Sequence, residues 1–408
     1  MKSATKFFAA IALICSAPAM AETMREAVLR KAALENGLRP VEESWPEFEP
    51  KKAEVGKLLF ESELLSLTRN VSCRNCHLEE FGSADGLPLG HGAGGVGKGV
   101  ERMKSPAGVL SRNTLALWGR GGVGFDVFFW DGRVDASSGD VQSQFGTMAP
   151  SDDPLVVTVH LPPVEFREMI GESDATEWLR QGDVGAAARV HTEIARRIRE
   201  TPEVAEPLAG ASGLEVGDLT YLQIAQAISA FIRSEFRLRE TRFHRFVFED
   251  EPLTDRELAG GLLFYGRGQC AACHTGTYFS DLEFHAIPFG QFGFGFNGFG
   301  IDYGRYNFTQ DPQDRYAFRT PPLYNVAKTA PYSHSGVEPD LAAAIRAHVD
   351  PLAEIDTSSL SALDRAEVYQ KIARWSLEPS YAVELSDSEI AELVAFLAAL
   401  EFDPEPAR

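Results

Sequence analysis

Two copies of the pattern Cys-x-x-Cys-His hold four of the chain's five cysteines: Cys73-Arg-Asn-Cys76-His77 and Cys270-Ala-Ala-Cys273-His274. This spacing is the covalent attachment site of a c-type haem. The two thiols add to vinyl groups on one edge of the porphyrin, and the histidine becomes an axial ligand to iron. A redox Cys-x-x-Cys has no need of the added histidine. A four-cysteine zinc centre would need the two motifs close together in space. The sequence therefore predicts two covalently bound c-type haems, with His77 and His274 as iron ligands.

Residues 1–21 read as a secretory signal peptide. Lys2 and Lys6 form its charged region, Phe7 to Ile14 its apolar stretch, and Ala19-Met20-Ala21 a small-x-small cleavage site. The fifth cysteine, Cys15, falls inside this segment. No later apolar run reaches the 18 or more residues of a membrane helix. The expectation is a periplasmic, exported protein without a membrane span, which suits periplasmic haem attachment. The formal charge of −20 argues against nucleic-acid binding, because the chain would repel phosphates. A solvated acidic surface and steering of a basic or neutral redox partner both stay open.

Apolar periodicity is helical wherever it is clear. Lys51 to Phe60, His191 to Glu200 and Leu222 to Phe236 read as helices. Thr254-Asp-Arg-Glu257 and Ser386-Asp-Ser-Glu389 are capping boxes; the first opens a helix to Tyr265, the second one over Ile390 to Leu400. Strand signal is slight. Gly82 to Gly99 and the glycine-aromatic run Phe289 to Tyr306 read as long loops; the second is a packed structural loop or a docking surface. The fold class expected is mostly α, with two cytochrome-c-like haem domains and long loops. The domains expected are residues 22–250 and 251–408, one for each haem motif, joined near Pro252.

Further motifs carry a family resemblance. They are Phe129-Trp130-Asp131-Gly132-Arg133, Arg319-Thr-Pro-Pro-Leu-Tyr-Asn-Val326 and Thr329-Ala-Pro-Tyr-Ser-His-Ser-Gly336. With the two haem motifs, this set resembles the bacterial dihaem cytochrome c peroxidase/MauG family, closest to its MbnH-like branch. The resemblance spans nearly the whole mature chain. It implies that hydrogen peroxide reacts at the first haem, that the second relays or stores oxidising equivalents, and that Trp130 lies between them.

The resemblance also places the sixth ligand of the second haem fourteen residues beyond His334, at His348. Ordinary dihaem peroxidases have a methionine there. No methionine follows Met169 in this chain, so the C-terminal half has none to offer. A thioether ligand raises haem potential, whereas a second imidazole lowers it. A solvated histidine near a helix end, or ligation by a nearby tyrosine, stays open. His91 sits where relatives carry a histidine that blocks the first haem at rest; it blocks here or is a polar loop residue. The family acid/base glutamate, with a proline six residues before it, corresponds to Glu168 and Pro162. The Trp130-to-Glu168 interval is longer than in ordinary dihaem peroxidases, and Thr158 falls where the family has a glutamine. The resemblance further implies Ca²⁺ between the haem domains, with Asn113, Thr329 and Pro331 as ligands.

Three functions stay open on the sequence. The first is oxidation of a periplasmic partner protein by oxidising equivalents spread over both haems, as in MauG or MbnH, with a tryptophan side chain as one target. The second is peroxide reduction with electrons from a small cytochrome or cupredoxin. The third is non-enzymatic dihaem electron carriage.

Overall fold

The computed structural model describes residues 23–172, 185–291, 293–353, 357–381 and 383–402. The expected signal peptide lies outside the described residues. The fold is mostly helical. Its strands are two residues long and form one three-stranded and two two-stranded antiparallel sheets. Strands so short carry no alternation that a sequence pattern would reveal.

Each haem motif follows a helix that crosses another helix at a glycine. Pro50 starts the helix Pro50–Phe60 at a position where its missing N–H costs nothing. That helix lies on Tyr221–Glu235, which Thr220 and Gln223 open with a capping box. The partner helix buries Ile224, Ala227, Ile228 and Phe231, one stripe at helical spacing. A Cβ on Gly56 would sit 1.9 Å from the Ala227 carbonyl oxygen, so only glycine allows this approach. Before the second motif, Asp255–Tyr265 packs on Asp387–Ala398, and a Cβ on Gly260 would sit 2.0 Å from the Glu392 carbonyl oxygen. Both expected capping boxes, at Thr254 and Ser386, form. The two haem-bearing halves thus repeat one device, written as Gly56-Lys-Leu-Leu-Phe60 and Gly260-Gly-Leu-Leu-Phe264.

The helix Met24–Glu35, capped by Thr23 and Glu26, packs against the helix before the second motif. The carbonyl of Asn36 then accepts bonds from the Thr275 hydroxyl and the Gly276 N–H, both at 2.8 Å. The start of the described chain is therefore fastened to the second haem motif. No helix among the described residues is long and apolar enough to cross a membrane.

A buried ion network ties the middle of the chain to the glycine-aromatic loop. Arg112 donates to Asp131 at 2.6 Å and to both carboxylate oxygens of Asp302, at 2.7 and 2.8 Å. Asp131 also takes Arg133 at 2.9 Å. Burial alone would raise the Asp131 carboxyl, but the two guanidiniums outweigh it and hold it well below the usual carboxylate range. Asp302→Asn leaves Arg112 half paired in a dry site. Breaking a buried pair in this way costs about 3–5 kcal/mol, and chemical denaturation of the holoprotein should show a loss of that size.

Candidate functional site

At the first motif, His77 turns its Nδ1 to the Ser83 carbonyl oxygen at 2.9 Å. That bond fixes the tautomer and leaves Nε2 as a free lone pair, the usual way a metal-binding imidazole is oriented. Burial lowers its pKa to about 4, so the ring is neutral and able to ligate. Burial also pushes the Cys73 thiol up to about 12, with the charge of Glu168 adding to the effect. A thiol so disfavoured as thiolate is a poor free redox or metal group. All four described cysteines are unpaired, and no four-cysteine cluster forms among the described residues.

Glu168 sits in a single π-turn, Phe166–Ile170, separated by Glu165 alone from the 3-10 turn that Pro162 opens. The N–H groups of Glu168, Met169 and Ile170 all converge on the Glu165 carbonyl oxygen, at 3.2, 3.0 and 3.3 Å. A π-turn of this kind often marks a functional site. Burial raises the Glu168 carboxyl to about 8, the charge of Glu165 adds, and Arg133 partly opposes. Its influence on both Cys73 and Cys76 puts it beside the first haem motif.

The loop carrying His91 lies directly against this turn. Ala93 N–H donates to the Arg167 carbonyl at 3.0 Å. His91 is half-buried, with Nδ1 on the Leu89 carbonyl at 2.9 Å. Its ring touches no other ring among the described residues, and His77 packs instead on Phe60, with centroids 6.2 Å apart. Arg102, unremarkable in the sequence, clamps the loop. It is buried and donates to the carbonyls of His91 and Gly92, each at 2.6 Å. Beyond Thr158, His160 is buried and stacks edge-on to His191 and Tyr221.

At the second motif the histidines face one another. His274 gives Nδ1 to the Phe279 carbonyl at 3.0 Å, and His348 gives Nδ1 to the Ala344 carbonyl, one helical turn back, at 2.7 Å. Burial, with His348 beside it, lowers His274 to about 4; burial lowers His348 as well. The two ring centroids lie 6.4 Å apart. Two metal–nitrogen bonds of about 2 Å, plus the distance from each nitrogen to its ring centre, give a separation of about 6.3 Å. The observed spacing suits two imidazoles that would hold one iron between them. Cys270, Cys273, Pro321, Leu341 and Ile345 line the same apolar cleft.

Two buried arginines supply a second test of fit to haem. Arg319 is fully buried, lines this cleft and leaves Nη2 without a partner. Arg120 is buried, close enough to His77 to lower its pKa. Neither makes an ion pair among the described residues. Burial pulls Arg319 well below the usual arginine range and Arg120 down to about 10. Among the described residues both guanidiniums donate only to backbone carbonyls; a buried cation without a carboxylate calls for one, and haem carries two propionates.

Trp130 is buried on the same cleft. Its indole N–H donates to the Asn113 carbonyl at 2.9 Å, and its own carbonyl accepts from Arg319 N–H at 2.8 Å. The strand pairing Phe284 with Arg319 brings this segment against the second motif. Asn113, Thr329 and Pro331 all border the cleft. The Asn113 side-chain NH₂ donates to the carbonyl oxygens of Leu87, Pro88 and Pro331, at 2.7, 3.3 and 3.4 Å. These are hard, neutral oxygens of the type Ca²⁺ accepts.

One cluster had no sequence signal. Cys273, Asp281 and His285 bring ligand-type atoms within 4.8 Å of one another. His285 is held at both nitrogens, by Asp281 at 2.8 Å and Glu378 at 2.7 Å. Burial alone would lower its pKa, but hydrogen bonds that the ring donates to Asp281, Cys273 and Glu378 lift it to about 12. With both ring nitrogens engaged by carboxylates, it has no free lone pair to offer a metal.

Comparisons with known proteins bear on the family and the fold. Residues 50–252 match the family model for di-haem cytochrome c peroxidase. The chain is 27% identical over 358 residues to the methylamine utilization protein MauG of Methylorubrum extorquens, covering 87% of this chain and 79% of that one. It is 25% identical over 297 residues to the cytochrome c551 peroxidase of Pseudomonas aeruginosa, covering 70% and 68%. Among solved structures, a MauG-like protein associated with microbial copper homeostasis has a TM-score of 0.62 at 22% identity, over 90% of this chain and 93% of that one. The diheme peroxidase BthA from Burkholderia thailandensis has a TM-score of 0.63 at 22% identity, over 90% and 89%. Those two likenesses speak for the fold.

Proposed function

We propose that this chain, which belongs to the di-haem cytochrome c peroxidase family and is a haem peroxidase-type oxidoreductase, uses hydrogen peroxide to oxidise a partner protein in the periplasm. The carrying observation is His348 facing His274 at 6.4 Å, where a methionine would make a high-potential centre. When bound, the two haems supply an iron that takes peroxide and a store for the two oxidising equivalents. An imidazole pair favours storing oxidising equivalents over accepting electrons from a high-potential donor. The haems would be held covalently by Cys73 and Cys76 and by Cys270 and Cys273, with His77, His274 and His348 as iron ligands.

Glu168 takes a proton from one peroxide oxygen and returns it to the other, which departs as water. Pro162 sets the turn that aims Glu168. His91, held by Leu89 and Arg102 and not stacked on His77, leaves the distal side of the first motif open at rest. Trp130, seated between the Asn113 carbonyl and Arg319, carries electrons between the halves. Asn113, Thr329 and Pro331 would hold Ca²⁺, and the bound ion would pin the segment that seats Trp130. Chelation should lower the thermal midpoint and slow exchange between the haems, and re-added Ca²⁺ should restore both, as followed by scanning calorimetry and stopped-flow absorbance.

The test is to add stoichiometric peroxide to the fully oxidised holoprotein and record optical and Mössbauer spectra. A long-lived change at both irons without prior reduction is expected. No reaction until one haem is reduced, followed by fast oxidation of a small cytochrome, would instead establish peroxide detoxification. The names of relatives such as the cytochrome c551 peroxidase favour that second reading.

A further inference from the structure

We propose that Trp375 and Tyr381 form the route by which electrons from the partner protein reach the second haem, with Tyr381 as the surface contact. This deepens the protein-oxidation reading and rests on it.

Trp375 is buried at the end of the helix Ala362–Trp375. Its indole N–H donates to the backbone carbonyl of His348 at 3.0 Å and to the Ser380 hydroxyl at 3.1 Å. A redox-active ring is thus bonded directly to the residue that faces His274. The chain then turns back, with Glu378 N–H on the Trp375 carbonyl and Tyr381 N–H on the Glu378 carbonyl. The turn is anchored, because the Glu378 carboxylate holds His285 and the Ala286 N–H. This places the Tyr381 ring edge-on to Trp375, with centroids 5.0 Å apart. Tyr381 is 48% exposed, and Leu377 beside it is 74% exposed. The ligand, a buried indole and an exposed phenol therefore form an unbroken line from the second haem site to solvent.

Among the described residues, three other aromatic groups do not offer this line. Phe289 is edge-on to His348 at 5.3 Å, but a phenyl ring is far harder to oxidise than indole or phenol. Trp118 packs on Phe236 and Phe402, and Trp45 donates to Leu238. Neither contacts His348.

The electron balance closes. Hydrogen peroxide takes two electrons and two protons and becomes two waters. The electrons travel singly. Trp375 gives one toward the second haem and keeps its indole proton, because a carbonyl and a hydroxyl hold that N–H and neither is a base. Tyr381 refills Trp375 and releases its phenol proton to water. A partner side chain then returns one electron and one proton to Tyr381. Two such passes, each taking one electron and one proton from the partner, consume one peroxide.

The experiment treats the oxidised holoprotein with peroxide in the absence of any partner, freezes it rapidly, and records optical and electron paramagnetic resonance spectra for wild type, Tyr381→Phe and Trp375→Phe. A tyrosyl radical is expected in wild type, reduced at least tenfold in both variants. The resting optical spectrum of Trp375→Phe reports whether His348 has kept its place. A haem optical change with no tyrosyl signal, or with a signal that survives Tyr381→Phe, overturns this route and leaves the peroxide reaction standing. Absence of any optical change overturns the protein-oxidation reading, and the route with it.

Discussion

Replacing His348 with methionine is expected to raise the reduction potential of the second haem by on the order of 100 mV or more, within the ~0.8 V that axial ligands span. His348 sits near the end of the helix Leu341–Val349, whose backbone holds its ring through Nδ1. A methionine on the same turn has the length and flexibility to bring its sulfur to the same place. Thioether ligation favours the reduced iron. The variant should therefore accept electrons readily from a reduced small cytochrome, and its oxidised state after peroxide should decay faster. Both haems should stay attached, since Cys270 and Cys273 are untouched. Potentiometric titration with optical detection checks the first effect, and cytochrome oxidation checks the second. An unchanged potential would mean that His348 does not ligate the iron, and the argument against ordinary peroxide detoxification would lose its basis.

The parts of this protein that were legible in the sequence are those whose chemistry fixes spacing along the chain. Porphyrin geometry demands Cys-x-x-Cys-His. Helix starts demand a side chain three residues from its partner, as at Thr254 and Ser386. Methionine is absent after Met169, which pointed to a histidine in its place, and the structure sets the His348 ring 6.4 Å from that of His274. The parts that were not legible depend on contacts across the fold. Arg102, Arg120 and Arg319 look like ordinary surface arginines until burial is known. His285 is held at both ring nitrogens only because Glu378 returns from 93 positions away to join Asp281. The helix Met24–Glu35 carries a capping box that was readable, but its attachment to the second motif was not. The repeat Gly56-Lys-Leu-Leu-Phe60 and Gly260-Gly-Leu-Leu-Phe264 was available in the sequence. It acquires meaning through the two helix crossings that need those glycines.

Glu168→Gln should slow the reaction with peroxide roughly 10²–10⁴-fold, the usual worth of a positioned proton-transfer group, while leaving haem content and potentials as they are. The amide keeps the shape and hydrogen-bonding capacity of the side chain but can neither take nor return a proton. The pH dependence sharpens the test. Burial holds the Glu168 carboxyl near 8, so at neutral pH most of it carries a proton and cannot act as the first base. The wild-type rate should climb as pH rises and level off above about 8, and this limb should vanish in the variant. Stopped-flow traces over pH 5 to 9 would show it; a wild-type rate in Glu168→Gln would remove the residue from the mechanism. The same shift has a stability signature of known sign. In the unfolded chain the carboxyl loses its proton near 4.5, whereas in the folded protein it keeps it up to about 8. Its contribution is fully present below 4.5 and is lost as pH rises through 8. The variant should show a flatter stability profile across that window, which links the strained placement of this carboxyl to the chemistry it performs.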